Sequence, residues 1–165
     1  MAAGSTYTPI ATQTLGSSAS SVTLSSIPST YTDLVLVINT AVASSSGSIQ
    51  ARFNGDTGAV YSATRLFGNG TSASSNRLSS DNYLAFGTIS TTLGTTIVQV
   101  MNYTNTTTAK TALVRNNDSS SAVYANVTMW KPATQAAINS IYIQNNAGSN
   151  FIAGSTFTLY GIQAA

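Results

Sequence analysis

The side chains able to do acid–base or nucleophilic chemistry are few. The sequence has no His, no Cys and no Glu, and its acids are Asp33, Asp56, Asp81 and Asp118. A glycosidase needs two carboxylates about 5 or 9 Å apart. Here Asp56 lies in Asn54-Gly55-Asp56, Asp81 in Ser80-Asp81-Asn82 and Asp118 in Asn117-Asp118-Ser119, while Asp33 opens a strand. Asp is a turn residue because its carboxylate bonds nearby backbone amides, and that role accounts for all four. A Ser nucleophile would lack its His, and no Gly-x-Ser-x-Gly elbow occurs. Zinc sites want His or Cys, and calcium wants several carboxylates, which are far apart along this chain. Gly68-Asn69-Gly70 is a turn rather than a phosphate loop, because no Lys and helix follow it. The expectation is a protein with no catalytic residues, no metal and no cofactor.

What must position any functional group is an all-β framework. Short Val/Ile/Leu/Tyr runs alternate with Gly/Ser/Asn clusters, and Ser and Thr, residues of turns and half-buried pleats, dominate the rest. Strands are expected over 6–15, 20–27, 31–42, 48–54, 59–67, 82–89, 95–104, 110–116, 121–131, 138–145 and 155–162. Val123, Ala125, Val127 and Met129 alternate with Tyr124, Asn126, Thr128 and Trp130, giving that strand two distinct faces. Leu34 to Ile38 is apolar on both faces and reads as a central strand covered on both sides, in a two-sheet core or at a subunit contact. Asn54-Gly55 and Gly68-Asn69-Gly70 supply the positive φ of tight reversals. Loops are expected at 43–47, 71–76 and 116–121, and 134–139 reads as one helical turn or a loop. Eight to eleven strands with long crossing connections in 165 residues point to an antiparallel β-sandwich of the jelly-roll kind, one domain over 1–165. Residues 1–15, interrupted by Pro9, read as an edge strand or arm.

Charge excludes several partners. Charged residues are only 6% and the net charge is +2. The basic residues Arg52, Arg65, Arg77, Arg115, Lys110 and Lys131 form no run of the kind a phosphate backbone requires. No apolar stretch approaches the about 20 residues of a spanning helix, so neither nucleic acid nor membrane is an expected partner. The amino terminus lacks the basic and apolar regions of a secretory signal. Asn69-Gly-Thr71, Asn102-Tyr-Thr104, Asn105-Thr-Thr107 and Asn126-Val-Thr128 match the glycosylation tripeptide, as expected by chance in a chain rich in Asn and Thr.

The aromatics carry the remaining signal. Tyr7, Tyr31, Tyr61, Tyr83, Tyr103, Tyr124, Tyr142 and Tyr160 fall on nearly every expected strand, mostly as core and sheet-edge residues. Tyr and Trp offer stiff contact area with a polar tip, suited to interfaces and sugar stacking. Tyr7, Tyr31, Trp130 and Tyr160 are the candidate interface or glycan contacts; Trp130 is the best single platform, and its ordinary reading is as an interface or core residue.

Several stretches are distinctive together. They are Tyr7-Thr-Pro-Ile-Ala-Thr with Thr-Leu-Gly16, Ser-Ile-Pro28-Ser-Thr-Tyr31-Thr-Asp33-Leu-Val-Leu-Val, Arg52-Phe-Asn-Gly-Asp-Thr-Gly58, Gly68-Asn-Gly70 and Met101-Asn-Tyr-Thr-Asn-Thr106 with Lys110-Thr111. The most specific is Gly148-Ser-Asn-Phe-Ile-Ala-Gly-Ser-Thr-Phe-Thr-Leu-Tyr-Gly-Ile162. Over nearly its whole length the chain resembles small structural proteins of tailed bacteriophages, most frequent among phages of cyanobacteria. The resemblance implies a jelly-roll virion subunit without catalytic residues, used as a head decoration (cement) protein or as a tail-fibre module. As decoration it would be a homo-oligomer, a homotrimer, clamping the major capsid protein on the head surface. As a fibre subunit it would recognise host surface glycans. A polysaccharide-degrading tail enzyme fits poorly with so few carboxylates. Such a protein is released by lysis and needs no signal.

Overall fold

The computed structural model describes residues 6–119 and 122–163. It contains twelve strands: β1 (Tyr7–Thr14), β2 (Ser21–Leu24), β3 (Asp33–Thr40), β4 (Gly47–Phe53), β5 (Tyr61–Gly68), β6 (Ala73–Asp81), β7 (Leu84–Ile89), β8 (Gly94–Val100), β9 (Lys110–Asn117), β10 (Val123–Trp130), β11 (Ile141–Asn145) and β12 (Thr156–Ile162). They form an eight-stranded sheet, β1-β12-β3-β8-β9-β10-β5-β6, and a four-stranded sheet, β2-β11-β4-β7. Every pairing is antiparallel. No helix occurs among the described residues, and 134–139 is a loop.

The strand order is that of a jelly-roll with an extension. Set aside β5, β6, β9 and β10. The remaining eight, taken in chain order, place the first, eighth, third and sixth in one sheet and the second, seventh, fourth and fifth in the other. Successive strands thus cross between the sheets, except the fourth and fifth, which pair within the small one; this is the rolled double Greek key. The four strands set aside form two pairs, β5–β6 and β9–β10, inserted before and after β7–β8. Both add to the same edge, beyond β8, and form a wing.

Period-2 alternation builds the core. Leu34, Leu36 and Ile38 of β3, Val98 and Val100 of β8, and Phe157 and Leu159 of β12 point inward from the large sheet. They meet Ile49, Ala51 and Phe53 of β4, Leu84 and Phe86 of β7, and Ile141 and Ile143 of β11. All eleven strands expected from the sequence are present. The twelfth, β6, coincides with the expected polar loop at 71–76. Its sequence, Ala-Ser-Ser-Asn-Arg-Leu-Ser-Ser-Asp, carries no apolar alternation, because the strand is exposed along nearly all its length.

Where the small sheet ends, one side chain fastens it to the large one. β7 is an edge strand lying against β9 and β10. Asn116 of β9, buried, accepts a hydrogen bond from the Thr88 amide at 3.0 Å and donates from Nδ2 to the Thr88 carbonyl at 3.0 Å. Its Nδ2 also donates to Thr96 Oγ1 at 2.7 Å. The amide side chain therefore stands in for a neighbouring strand and satisfies the outward groups of β7. Beside it Gly87 has φ +113°, and a Cβ there would come within 2.4 Å of the Asn116 side chain. Only glycine fits both the conformation and the space.

Two substitutions check this clasp. Asn116→Ala leaves the Thr88 amide and carbonyl unpaired and should lower unfolding free energy by about 2 kcal/mol, read as a reduced urea midpoint at unchanged slope. Gly87→Ala should cost at least as much, through strain and collision together.

Candidate interaction surface

Three of the four aspartates hold local structure. Asp56 accepts from Gly58 N–H through Oδ1 at 2.9 Å and from the Trp130 indole N–H through Oδ2 at 2.8 Å, and its carbonyl accepts from the Tyr61 hydroxyl at 2.8 Å. Asp118 is buried; its Oδ2 accepts from the Thr88 hydroxyl and its carbonyl from the Ser90 hydroxyl. Asp33 accepts from the Asn102 amide at 2.7 Å. Among the described residues no three acidic, His or Cys side chains are grouped to hold a metal. Lys110 is 1% exposed and donates to the Thr108 carbonyl at 3.0 Å. Burial holds its ammonium below the usual lysine range, but nothing can reach it from solvent. No helix among the described residues is long and apolar enough to cross a membrane.

The four aromatics singled out in the sequence separate into two pairs. Trp130 is 2% exposed, edge-on to Phe53 and hydrogen-bonded to Asp56. It is a core residue, which corrects its reading as a sugar platform: both its rim and its N–H are already engaged. Tyr31 is half-buried against the core, and its ring occupies the space where Gly161 has no Cβ. Its amide donates to the Tyr103 hydroxyl, which itself donates to the Pro28 carbonyl. Tyr7 and Tyr160 do come together, edge-to-face with centroids 6.2 Å apart, on adjacent strands β1 and β12. Of the glycosylation tripeptides, that at Asn126 has its asparagine fully buried.

The Tyr7–Tyr160 pair lies on the outer face of the eight-stranded sheet, and that face is the unusual surface of the molecule. Along it run Tyr160, Val35, Gln99, Leu113, Val127 and Thr64, each opposite the next on successive strands β12, β3, β8, β9, β10 and β5. Leu113, Val127 and Thr64 are exposed, Tyr160 and Gln99 are half-buried, and Val35 is buried between its neighbours. Of the seven large apolar residues exposed among the described residues, Tyr7, Leu66, Leu113, Val123 and Val127 project from this face. The signal was present in the sequence as Leu34 to Ile38, apolar on both sides: Leu34, Leu36 and Ile38 enter the core, whereas Val35 and Val37 belong to the outer face.

The opposite outer surface, on the small sheet, is built differently. Tyr142 donates to Gln144 Oε1 at 2.9 Å, Gln144 donates to Gln50 Oε1 at 3.1 Å, and Arg52 donates to the Asn82 carbonyl at 2.9 Å. The groups exposed here are polar and partly bonded to one another, and a hollow of about 280 Å³ lies among Thr23, Arg52, Gly55, Ser140 and Tyr142.

The wing adds relief to the apolar face. A hollow of about 600 Å³ is lined by Leu66, Gly68, Ala73, Ser75, Val123 and Ala125 together with Phe67, Ser74 and Tyr124. A second, of about 250 Å³, shares Val123 and Tyr124 with it and extends over Ile97 and Arg115. On the inner side of the wing Tyr124 is stacked on Phe67 at 5.6 Å with Arg65 5.9 Å from its ring centre.

No family model and no curated protein matches the sequence. Among solved structures, a variant of alginate lyase Aly36B bound to an alginate trisaccharide is similar at 11% identity and TM-score 0.34, over 92% of this chain and 80% of that one. Aly36B itself is similar at 12% identity and TM-score 0.32, over 93% and 80%. Likeness at this level carries no argument about function.

Two measurements test the structural assignment of these groups. Asp56→Ala strands the Trp130 and Gly58 donors and should cost about 2 kcal/mol, with a shift in Trp fluorescence, whereas Asp56→Asn keeps an acceptor and should cost less. Burial, then the Asp56 charge, raises the Tyr61 hydroxyl far above its ordinary 10.0, and burial likewise raises Tyr103. Because the unfolded chain ionises both near 10, their contribution to stability is full below that pH and is lost as pH rises above it. In an alkaline titration the tyrosinate absorbance of these two residues should appear only together with unfolding.

Proposed function

We propose that this chain is a non-catalytic virion subunit of a tailed phage, decorating and stabilising the head. The observation that carries the reading is the row of exposed apolar residues on the outer face of the large sheet, Tyr7, Leu66, Leu113, Val123 and Val127, set against a small-sheet surface built from polar side chains. An apolar face of this extent marks a contact surface. Jelly-rolls recur in capsid proteins and lectins, which supports the reading without fixing it, since a fold hosts many functions. The sequence resemblance to phage structural proteins supplies the virion context. In this scheme the major capsid protein meets the Tyr7–Tyr160 end of the face, where aromatic anchors sit, and other copies of the chain take further contacts.

One observation favours a second reading, a tail-fibre subunit that binds host glycans. Beside the Tyr7–Tyr160 pair the Thr12 hydroxyl donates to the Thr158 hydroxyl, and an aromatic edge flanked by hydroxyls suits a sugar ring.

Copy number and position in the intact particle separate the two. The decoration reading expects many copies distributed over the head, and a few copies at the tail would contradict it. A Tyr7→Ala, Tyr160→Ala double variant should fold normally and lose head binding by about tenfold or more. Binding of the unaltered protein should change little between low and high salt, because few charges are available to screen.

A further inference from the structure

We propose that the outer face of the small sheet carries a binding site for an acidic sugar, a pyranose bearing a carboxylate, seated between Arg52 and Tyr142. The inference goes beyond the proposed function. It concerns the surface opposite the apolar face, and the head contact stands or falls without it.

Register is the first reason. Arg52 of β4 pairs with Tyr142 of β11, and Tyr142 pairs with Thr23 of β2. Paired residues share a face of the sheet, so the three side chains stand in one row across three strands, about 10 Å from end to end. Beside that row Gly55 and Ser140 complete the lining of a hollow of about 280 Å³. This is just under the about 300 Å³ at which small-ligand sites begin, a size for one sugar ring rather than a chain. Tyr142 lies at the middle of the row and is half-buried. A tyrosine ring there is a stiff platform for the apolar face of a pyranose.

The groups around the hollow are held in place, and what they leave free is the second reason. Arg52 Nε donates to the Asn82 carbonyl at 2.9 Å, which orients the guanidinium, while its two terminal nitrogens have no partner among the described residues. The Tyr142 hydroxyl donates to Gln144 Oε1 at 2.9 Å, which holds the ring along its strand. Asn54 ties the wall: its amide donates to the Ser140 carbonyl at 3.0 Å, and its Oδ1 accepts from the Ser140 amide at 3.3 Å. The Thr23 and Ser140 hydroxyls line the hollow and bond to no other protein group among the described residues. A ligand meeting groups already ordered loses little to ordering them.

Charge selects a carboxylate. A planar guanidinium with both terminal nitrogens free matches a carboxylate through two parallel hydrogen bonds. Asp56, beside Gly55 in the chain, is engaged elsewhere: its two oxygens accept from Gly58 N–H and from the indole N–H of buried Trp130. It makes no ion pair with Arg52. A neutral sugar would leave the guanidinium unmatched, and a bare phosphate would leave the ring unused.

The test titrates the full chain with D-glucuronate, followed by heteronuclear NMR, against D-glucose as the neutral counterpart. Shifts are expected at Thr23, Arg52, Gly55, Ser140 and Tyr142, with glucose bound about tenfold more weakly or less. Arg52→Gln and Tyr142→Ala should each raise the glucuronate Kd about tenfold. Arg77→Gln removes the same charge from exposed β6 and should leave it unchanged. Arg52→Gln also gives up the bond to Asn82, so Thr23→Val, at an exposed strand position, is the second variant and should weaken binding about threefold. Circular dichroism checks that each variant keeps its strands. Added salt should weaken glucuronate binding, unlike the head contact. No binding at about 50 mM glucuronate, glucose or acetate or a peptide carboxylate bound as tightly, no effect of Thr23→Val, or an equal loss in Arg77→Gln would each overturn the inference.

Discussion

Four strands cannot cover eight. The small sheet lies over β1, β12, β3 and β8 to make the roll, and its edge strand β7 reaches β9, β10 and the near part of β5. That mismatch governs the rest of the molecule. It leaves β6 and the far end of β5 without a layer behind them, and β6 is exposed along nearly all its length. It also demands a device at the boundary, because β7 ends the small sheet inside the protein with backbone groups that need partners. Asn116 is that device, and Gly87 is the space it requires.

The same economy appears in the polar groups. With six basic and four acidic residues, the chain holds its loops with amides and hydroxyls. Asn54 donates to the Ala137 carbonyl and accepts from the Asn139 and Ser140 amides, tying the β4 turn to the segment before β11. Asn69 and Asn105 each gather two amides and two hydroxyls through one side-chain oxygen. Such contacts are nearly indifferent to ionic strength.

Most of the framework was legible in the sequence, because alternation and turn chemistry are local. Asn54-Gly55 takes positive φ at both residues, as that dipeptide demands. Pro9 falls on the outermost strand, where a missing donor costs nothing. β6 was hidden because a strand with little to bury carries no apolar period. The sequence left Trp130 open between core and surface, because exposure cannot be read from residue type: its partner Asp56 is distant in sequence, and the hydrogen bond between them exists only in the fold. Nor could the sequence distinguish the two sides of Leu34 to Ile38, since a core and a contact face select the same residues. The asymmetry between the two outer surfaces needed the sheet order.

The central claim is that the outer face of the eight-stranded sheet is covered when the protein works. Oxidative footprinting of side chains, comparing free protein with the assembled particle, measures this directly. The account predicts that Tyr7, Leu66, Leu113 and Val127 become protected on assembly, while Leu93 and the small-sheet residue Tyr142 keep their reactivity. Unchanged reactivity across the large sheet, with protection of Tyr142 instead, would contradict it.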